Sequence, residues 1–235
     1  MREMKGGAAL LSAMTPDLDW EERFNKWYDT HYIPNRMVMP GFIGAQRYRD
    51  AERPSYLVVY ELDSTKALET PEYAKLRAQP ATETKWMLAN VTEATRYAGT
   101  GIFEQTRDGL NTDPLDAPYL VSVYFSVPDD RADEFNRWYN EEHVPMLLNC
   151  SDWLMCRRFT VEDADPEPWT HLALHYLRDE KALKSPERAA ANETPWRKKL
   201  GEESWFRGRF QLFQRHGNRF THKAATGRPA ARRAG

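Results

Sequence analysis

One phrase is written twice in this chain. Phe24 to Pro34 reads FNKWYDTHYIP, and Phe135 to Pro145 reads FNRWYNEEHVP. Phe, Asn, Trp, Tyr and Pro keep their places, whereas His31 becomes Glu142 and Tyr32 becomes His143. The likeness runs without gaps from Phe24–Tyr48 to Phe135–Phe159 and matches Arg47 with Arg158. Further blocks follow in the same order: KALETPE (Lys66–Glu72) against KALKSPE (Lys181–Glu187), then ETKW (Glu83–Trp86) against ETPW (Glu193–Trp196). Chance resemblance does not keep collinear order, so the chain reads as a tandem duplication. It must fold as two copies of one supersecondary unit.

Each copy reads β-α-β-β-α-β. In the second, YLVSVYFSV (Tyr119–Val127) is β-branched and aromatic, as a strand requires. Asp129 to Glu142 has helical spacing, with Phe135, Trp138, Tyr139 and Glu142 on one face, and Pro145 is expected to end it. Trp153–Val161, His171–Leu177 and Phe206–Gln214 read as further strands. Ser185-Pro186-Glu187 and Thr70-Pro71-Glu72 read as N-caps with proline in the first helical turn. That order is the split β-α-β, or ferredoxin-like, unit. The expected division is a first repeat over 1–106, a turn-rich linker over 107–117, a second repeat over 118–216 and a disordered basic tail over 217–235.

Composition narrows the function classes. The 235 residues carry a formal charge of -2, which gives no general attraction to nucleic acid or anionic membrane. No apolar run approaches the roughly 20 residues that span a bilayer. Cys150 and Cys156 form no CxxC pair, so neither a disulfide framework nor a zinc site is expected, and a cytoplasmic location is the default. Nucleotide-binding, serine-hydrolase and zinc-protease motifs do not appear. Aromatic residues make up 12%, enough for a well-filled core or for a pocket taking a flat apolar ligand.

The WY-x-x-[EH]-[HY]-x-P phrase, the aromatic strand with Arg47 or Arg158, and the short K-A-L-x-x-P helix together resemble the dimeric α+β barrel superfamily, in particular EthD-like proteins. The resemblance covers most of Ala8 to Gln214. It implies that two ferredoxin-like sheets close into one eight-stranded barrel, here within a single chain as a pseudo-dimer. It implies no single reaction, because the superfamily contains cofactor-free monooxygenases, cyclases, isomerases, haem-binding members and proteins without known activity.

Strand alternation then sorts the side chains. In the third strand of each copy, Leu57/Leu172 and Val59/Leu174 are expected under the helices. Tyr56/His171 and Tyr60/His175 then point into the barrel. In the first strand, Leu11/Val123 and Ala13/Phe125 are assigned to the helices, leaving Ser12, Ser122 and Tyr124 inside. His171 and His175 do not suit one metal ion, since four residues of strand separate them by about 13 Å. Proton transfer suits imidazole better. The candidate catalytic residues are therefore His171, His175, Tyr124, His143 and His31. The candidate substrate-binding residues are Tyr56, Tyr60, Arg47, Arg158, Ser12 and Ser122. Core packing is the competing account for all of them, and the preferred account for Trp27/Trp138 and Tyr28/Tyr139. The functional expectation is a cofactor-independent lyase, isomerase or cyclase moving a proton at carbon in a small aromatic substrate. A cofactor-free oxygenase of quinol-like substrates and a non-catalytic EthD-like binding protein are the alternatives. No metal, nucleic-acid or membrane partner is expected, and a homodimer of single-chain barrels stays open.

Overall fold

The computed structural model describes residues 6–221. Eight antiparallel strands close a barrel in the order β1-β3-β2-β8-β5-β7-β6-β4. They are β1 (Ala8–Thr15), β2 (Phe42–Asp50), β3 (Tyr56–Leu62), β4 (Thr92–Thr106), β5 (Tyr119–Phe125), β6 (Trp153–Asp165), β7 (His171–Leu177) and β8 (Arg209–Thr221). Reading each half alone gives β4-β1-β3-β2 and β8-β5-β7-β6, the same order twice. The β2–β8 and β4–β6 ladders sew the halves together. Closure leaves no sheet edge to solvent. β8 runs on to Thr221, so residues 217–221, assigned from the sequence to the tail, belong to the barrel. The remainder of that tail, 222–235, lies outside the described residues. Among the described residues, no helix is long and apolar enough to cross a membrane.

Helices cover the outside of each half: α1 (Glu21–Trp27), α2 (Ile33–Met37), α3 (Pro71–Ala78) and α4 (Thr82–Asn90), then α5 (Ala132–Trp138), α6 (Val144–Leu147), α7 (Pro186–Asn192) and α8 (Pro195–Gly201). The caps are as the sequence reads. Thr70 and Ser185 accept backbone N–H bonds from Tyr73 and Arg188, each just before a proline at the helix start.

Pro34 and Pro145 do not end their helices. A five-residue π-helical turn precedes each, Tyr28–Tyr32 and Tyr139–His143, and the helix then continues through α2 or α6. The cause is local. Proline offers no N–H and its ring crowds the carbonyl four residues back, so the chain widens to i→i+5 bonds: Ile33 N–H to the Tyr28 carbonyl, Val144 N–H to the Tyr139 carbonyl. The extra residue shifts the helical phase by one. Tyr32 and His143 therefore take the inward position that a regular helix would give to His31 and Glu142.

The faces of β1, β3 and β7 are reversed from the expectation, whereas those of β5 are as expected. Leu57, Val59, Leu172 and Leu174 fill the barrel interior with Leu11, Tyr48, Tyr97, Leu120, Tyr124, Phe159, Tyr176 and Phe213. Tyr56, Val58 and Tyr60 pack against the helices of the first half, and Ala173 against those of the second. His171 and His175 share the Ala173 face. Both faces are buried, so apolarity cannot tell them apart. Nor can size: the interior takes six rings, Tyr48, Tyr97, Tyr124, Phe159, Tyr176 and Phe213, beside its leucines and valines. Buried ion pairs, Arg157 with Glu104 and Arg219 with Glu61, stitch one end of the interior.

Candidate functional site

A cavity of about 180 Å³ opens between the second-half helices and the sheet. Val121, Phe125 and His175 come from the sheet; Trp138, Tyr139 and His143 from α5 and its π turn; Arg188 and Arg197 from α7 and α8. Phe206, Gly208 and Phe210 close one side. Gly208 is needed there, because a Cβ would stand 2.6 Å from the Phe125 ring. The wall carries imidazoles, aromatic rings and two guanidiniums, and no carboxylate.

His175 sits at the back, 2% exposed, with both ring nitrogens engaged. The Trp153 indole N–H donates to its Nδ1 at 3.1 Å, and Nε2 lies 2.8 Å from the Tyr139 hydroxyl. An indole only donates, so Nδ1 must be the acceptor and the proton resides on Nε2. Nε2–H then donates to the Tyr139 oxygen, which leaves the phenolic proton free to point toward the cavity. Burial, with the coupling to the neighbouring His143 ring and the Arg158 and Arg188 charges, pushes His175 well below the ordinary imidazole value. Burial pushes the Tyr139 phenol well above its ordinary value. The pair is neutral: a fixed imidazole holding a fixed hydrogen-bond donor.

His143 is different. Its ring lies against Trp138 at 4.7 Å and edge-on to Tyr139 at 5.1 Å. Its Nδ1 is buried and has no hydrogen-bond partner, and so is the Trp138 indole N–H. Burial first, then the Arg197 and Arg188 charges, depress His143 to about 3, against a smaller opposing contact with the Ala191 backbone. With the proton on the nitrogen nearer that backbone, Nδ1 presents a lone pair to the cavity. A buried acceptor and a buried donor, both without a partner, thus belong to residues that line the same cavity as two arginines. Such groups await a ligand or water.

The other sequence candidates lie elsewhere. His171 is on the helix side at the far end of β7, bonded to Thr170 and edge-on to Phe135, and burial lowers it to about 4. Arg158 and Arg47 also lie under the helices. Arg158 binds the Asn136 and Asn140 side chains at 2.8 and 2.6 Å, and Arg47 binds Asn25 and the Asp29 carboxylate at 2.6 and 2.9 Å. They tie helix to sheet and line neither helix-side cavity. Tyr56 spends its hydroxyl on Glu21 and Asn25. Tyr124 and Ser122 face the barrel interior as expected; Tyr124 stacks near Tyr97 at one mouth. Ser12 does not. The halves align one residue further along, Ser12 with Val123, so Ser12 lines the first-half helix-side cavity together with Tyr60. His31 is exposed and contacts Thr30.

Trp138, Tyr139, Trp153, Arg188 and Arg197 were not among the candidates. One signal was present. Within the KALxxPE block, Tyr73 of the first half becomes Arg188 of the second. Cys156 lies 4.0 Å from His175, and burial raises its thiol to about 12, which suits packing rather than nucleophilic chemistry.

No family model and no curated protein matches the chain. Solved structures do. An anthrone oxidase-like protein superposes with a TM-score of 0.70 at 13% identity, covering 94% of this chain and 95% of its own. The chain has an α+β barrel fold. A Fusobacterium nucleatum protein named as a monooxygenase follows at 0.59 and 10% identity, covering 93% and 96%. Chlorite dismutase from Candidatus Nitrospira defluvii, in complex with imidazole, gives 0.58 and 9% identity, covering 91% and 93%. Each of these matches spans both halves of this barrel.

Proposed function

We propose that the protein is an enzyme that oxidises a small hydroxylated aromatic compound of the anthrone or quinol type, bound in the second-half cavity. The observation that carries this is the pairing of two unspent polar atoms, His143 Nδ1 and Trp138 Nε1–H, in an aromatic cavity whose charged groups are arginines. A flat phenol fits such a wall, and its anion fits it better. The names of the structural neighbours, anthrone oxidase-like and monooxygenase, accord with that chemistry.

In this proposal His143 Nδ1 takes the proton of the bound phenol or enol. The anion is held by the Trp138 N–H, the Tyr139 O–H and the charge of Arg188 and Arg197. The arginines that depress the empty imidazole also stabilise the phenolate forming beside it, so the proton affinities are matched in the complex. The electron-rich anion then reduces dioxygen at the opposite ring carbon. One C–H of the CH₂ carbon has been lost on forming the enol; a C–O bond to dioxygen then forms and gives a hydroperoxide, which takes the proton held by His143, and its O–O bond and the remaining C–H bond break as water leaves and that carbon becomes a carbonyl. His175 is a positioning residue that aims Tyr139. This sequence routes electrons through the substrate itself. The isomerase or lyase chemistry expected from the sequence shares its first step and omits oxygen.

We further propose that the chain is a tandem duplication of an EthD-like, ferredoxin-like unit, with repeats over 1–106 and 118–216. Identical strand order and a π turn at the same place in each half support it.

Oxygen uptake with 1,8-dihydroxy-9-anthrone tests the function. Turnover should require oxygen and fall at least 100-fold in His143→Gln. Unchanged turnover in that variant removes the proposal, and anaerobic turnover returns the chemistry to isomerisation. A visible spectrum of the purified protein tests separately for haem.

A further inference from the structure

The first half has its own cavity between helices and sheet, about 320 Å³, lined by Leu10, Ser12, Tyr32, Arg36, Tyr60 and Tyr73 among others. No imidazole lines it. Its most buried charged group is an arginine, Arg36, where the second half has Leu147. Arg36 is 8% exposed, and among the described residues no carboxylate pairs with it. One Nη1–H bond goes to the Tyr32 carbonyl at 2.9 Å, and the guanidinium lies 3.4 Å from the Tyr32 ring centre. Stacking covers one face of the fork and leaves its remaining edge to the cavity. Tyr60, 1% exposed, has its hydroxyl beside that of Tyr28, to which it can donate weakly, and makes no hydrogen bond of normal geometry. Exposed Arg77 stands at the rim. A buried planar cation with no carboxylate partner lies beside a tyrosine hydroxyl, in a cavity whose wall joins rings and aliphatic side chains to Ser12, Asn35, Thr84, Thr95 and the Arg77 and Arg96 guanidiniums, and it fits an anion that carries a ring.

We propose that this cavity is a second ligand site, binding an aromatic carboxylate without transforming it. The carboxylate takes the free edge of Arg36 and the Tyr60 hydroxyl, and the ring takes the apolar wall. An inorganic anion would leave most of that wall unfilled. With no imidazole to accept a proton, the site holds its ligand unchanged. It stands on residues separate from those of the second-half cavity.

Calorimetric titration of the full chain with 1-hydroxy-2-naphthoate tests it. Wild type should bind two molecules, and Arg36→Leu, checked as folded by near-ultraviolet circular dichroism, should bind one. Tyr60→Phe should weaken the same site about threefold to tenfold, and it decides the matter if Arg36→Leu does not fold. Arg197→Leu marks the other cavity. Two molecules in that variant with one in Arg36→Leu would count against the second-half assignment while leaving this one standing. The proposal is overturned if folded Arg36→Leu keeps the wild-type stoichiometry, if Tyr60→Phe is unchanged in affinity, or if wild type binds at most one molecule and loses it in Arg197→Leu.

Discussion

Arg47 and Arg158 occupy the same place in the two halves, buried beneath the same helix, yet only Arg47 has a carboxylate. Asp29 pairs with it at 2.9 Å, and Asn140 takes the Asp29 position opposite Arg158. Burial without a counter-charge lowers Arg158 to about 10. Similar exchanges surround it: Tyr32 becomes His143, Tyr60 becomes His175, Phe42 becomes Trp153 and Tyr73 becomes Arg188. The scaffold is held constant while the second half gains imidazoles and loses negative charge. The first half keeps tyrosines and places a buried arginine, Arg36, on its helix instead. Two cavities in equivalent places thus differ in their linings: one sets imidazoles beside arginines, the other arginines and tyrosines with no imidazole.

Making the second half like the first should have its largest effect at His143. His143→Tyr restores the first-half residue, and kcat for anthrone oxidation should fall by about 10²–10⁴. His31→Gln, at the surface, should stay within about twofold. Equal losses in the two variants would erase the distinction between the halves.

These two histidines also show how far the sequence could be read. The strands, their order within each half and the helix caps were legible because they depend on local patterns. The identity of the inward residue at the bend was not. It depends on a π turn that adds one residue before the proline, and regular helical spacing chooses Glu142 and His31 instead. The sheet faces failed for another reason. Strand alternation shows that Tyr60 and His175 share a side with Tyr56 and His171, but not which side the barrel encloses when both are buried. Side-chain size does not decide it either, since Tyr48, Tyr124 and Tyr176 lie inside beside Leu57 and Leu172. Trp138 and Tyr139 read as core residues because they are core residues. Only geometry shows that one edge of each reaches a cavity.

The second comparison is one of acid sensitivity. His143, His171 and His175 are all depressed by burial, to about 3, to about 4 and well below the ordinary value. Unfolding lets each bind a proton below about pH 6.5. The unfolded state therefore binds more protons there, and stability falls with decreasing pH. The contribution is complete above about pH 6.5 and is lost on descent toward pH 3–4, by about 1.4 kcal/mol per pH unit for each imidazole. Urea midpoints between pH 7.5 and 5 should show the decline, and His171→Tyr, the first-half residue, should make it shallower. A flat profile would mean that the imidazoles are not buried neutral.

A smaller change separates the arginines. Asp29→Asn gives the first half the uncompensated cation of the second and should cost about 1–2 kcal/mol, since the carboxylate is partly exposed. Asn140→Asp should recover part of that in the second half while weakening naphthoate there. Chemical denaturation and titration of both variants check the pair; equal and opposite null effects would show that the counter-charge is irrelevant.

The finest distinction is the one that Trp153→Phe probes. Removing the indole N–H leaves His175 Nδ1 without its donor, at about 1–3 kcal/mol in stability. Nitrogen-15 shifts of His175 should show Nε2–H in the wild type and a mixture of tautomers in the variant. A mixture already present in the wild type would remove the fixed aim of Tyr139.

A crystal structure of the protein with a bound hydroxyanthrone or hydroxynaphthoquinone tests the central claim most directly. The ligand oxygen should lie within hydrogen-bond reach of His143 Nδ1 and the Trp138 indole N–H, with its rings among Phe125, Tyr139 and Phe206. A ligand seated instead at the barrel mouth against Tyr97 and Tyr124 would contradict it.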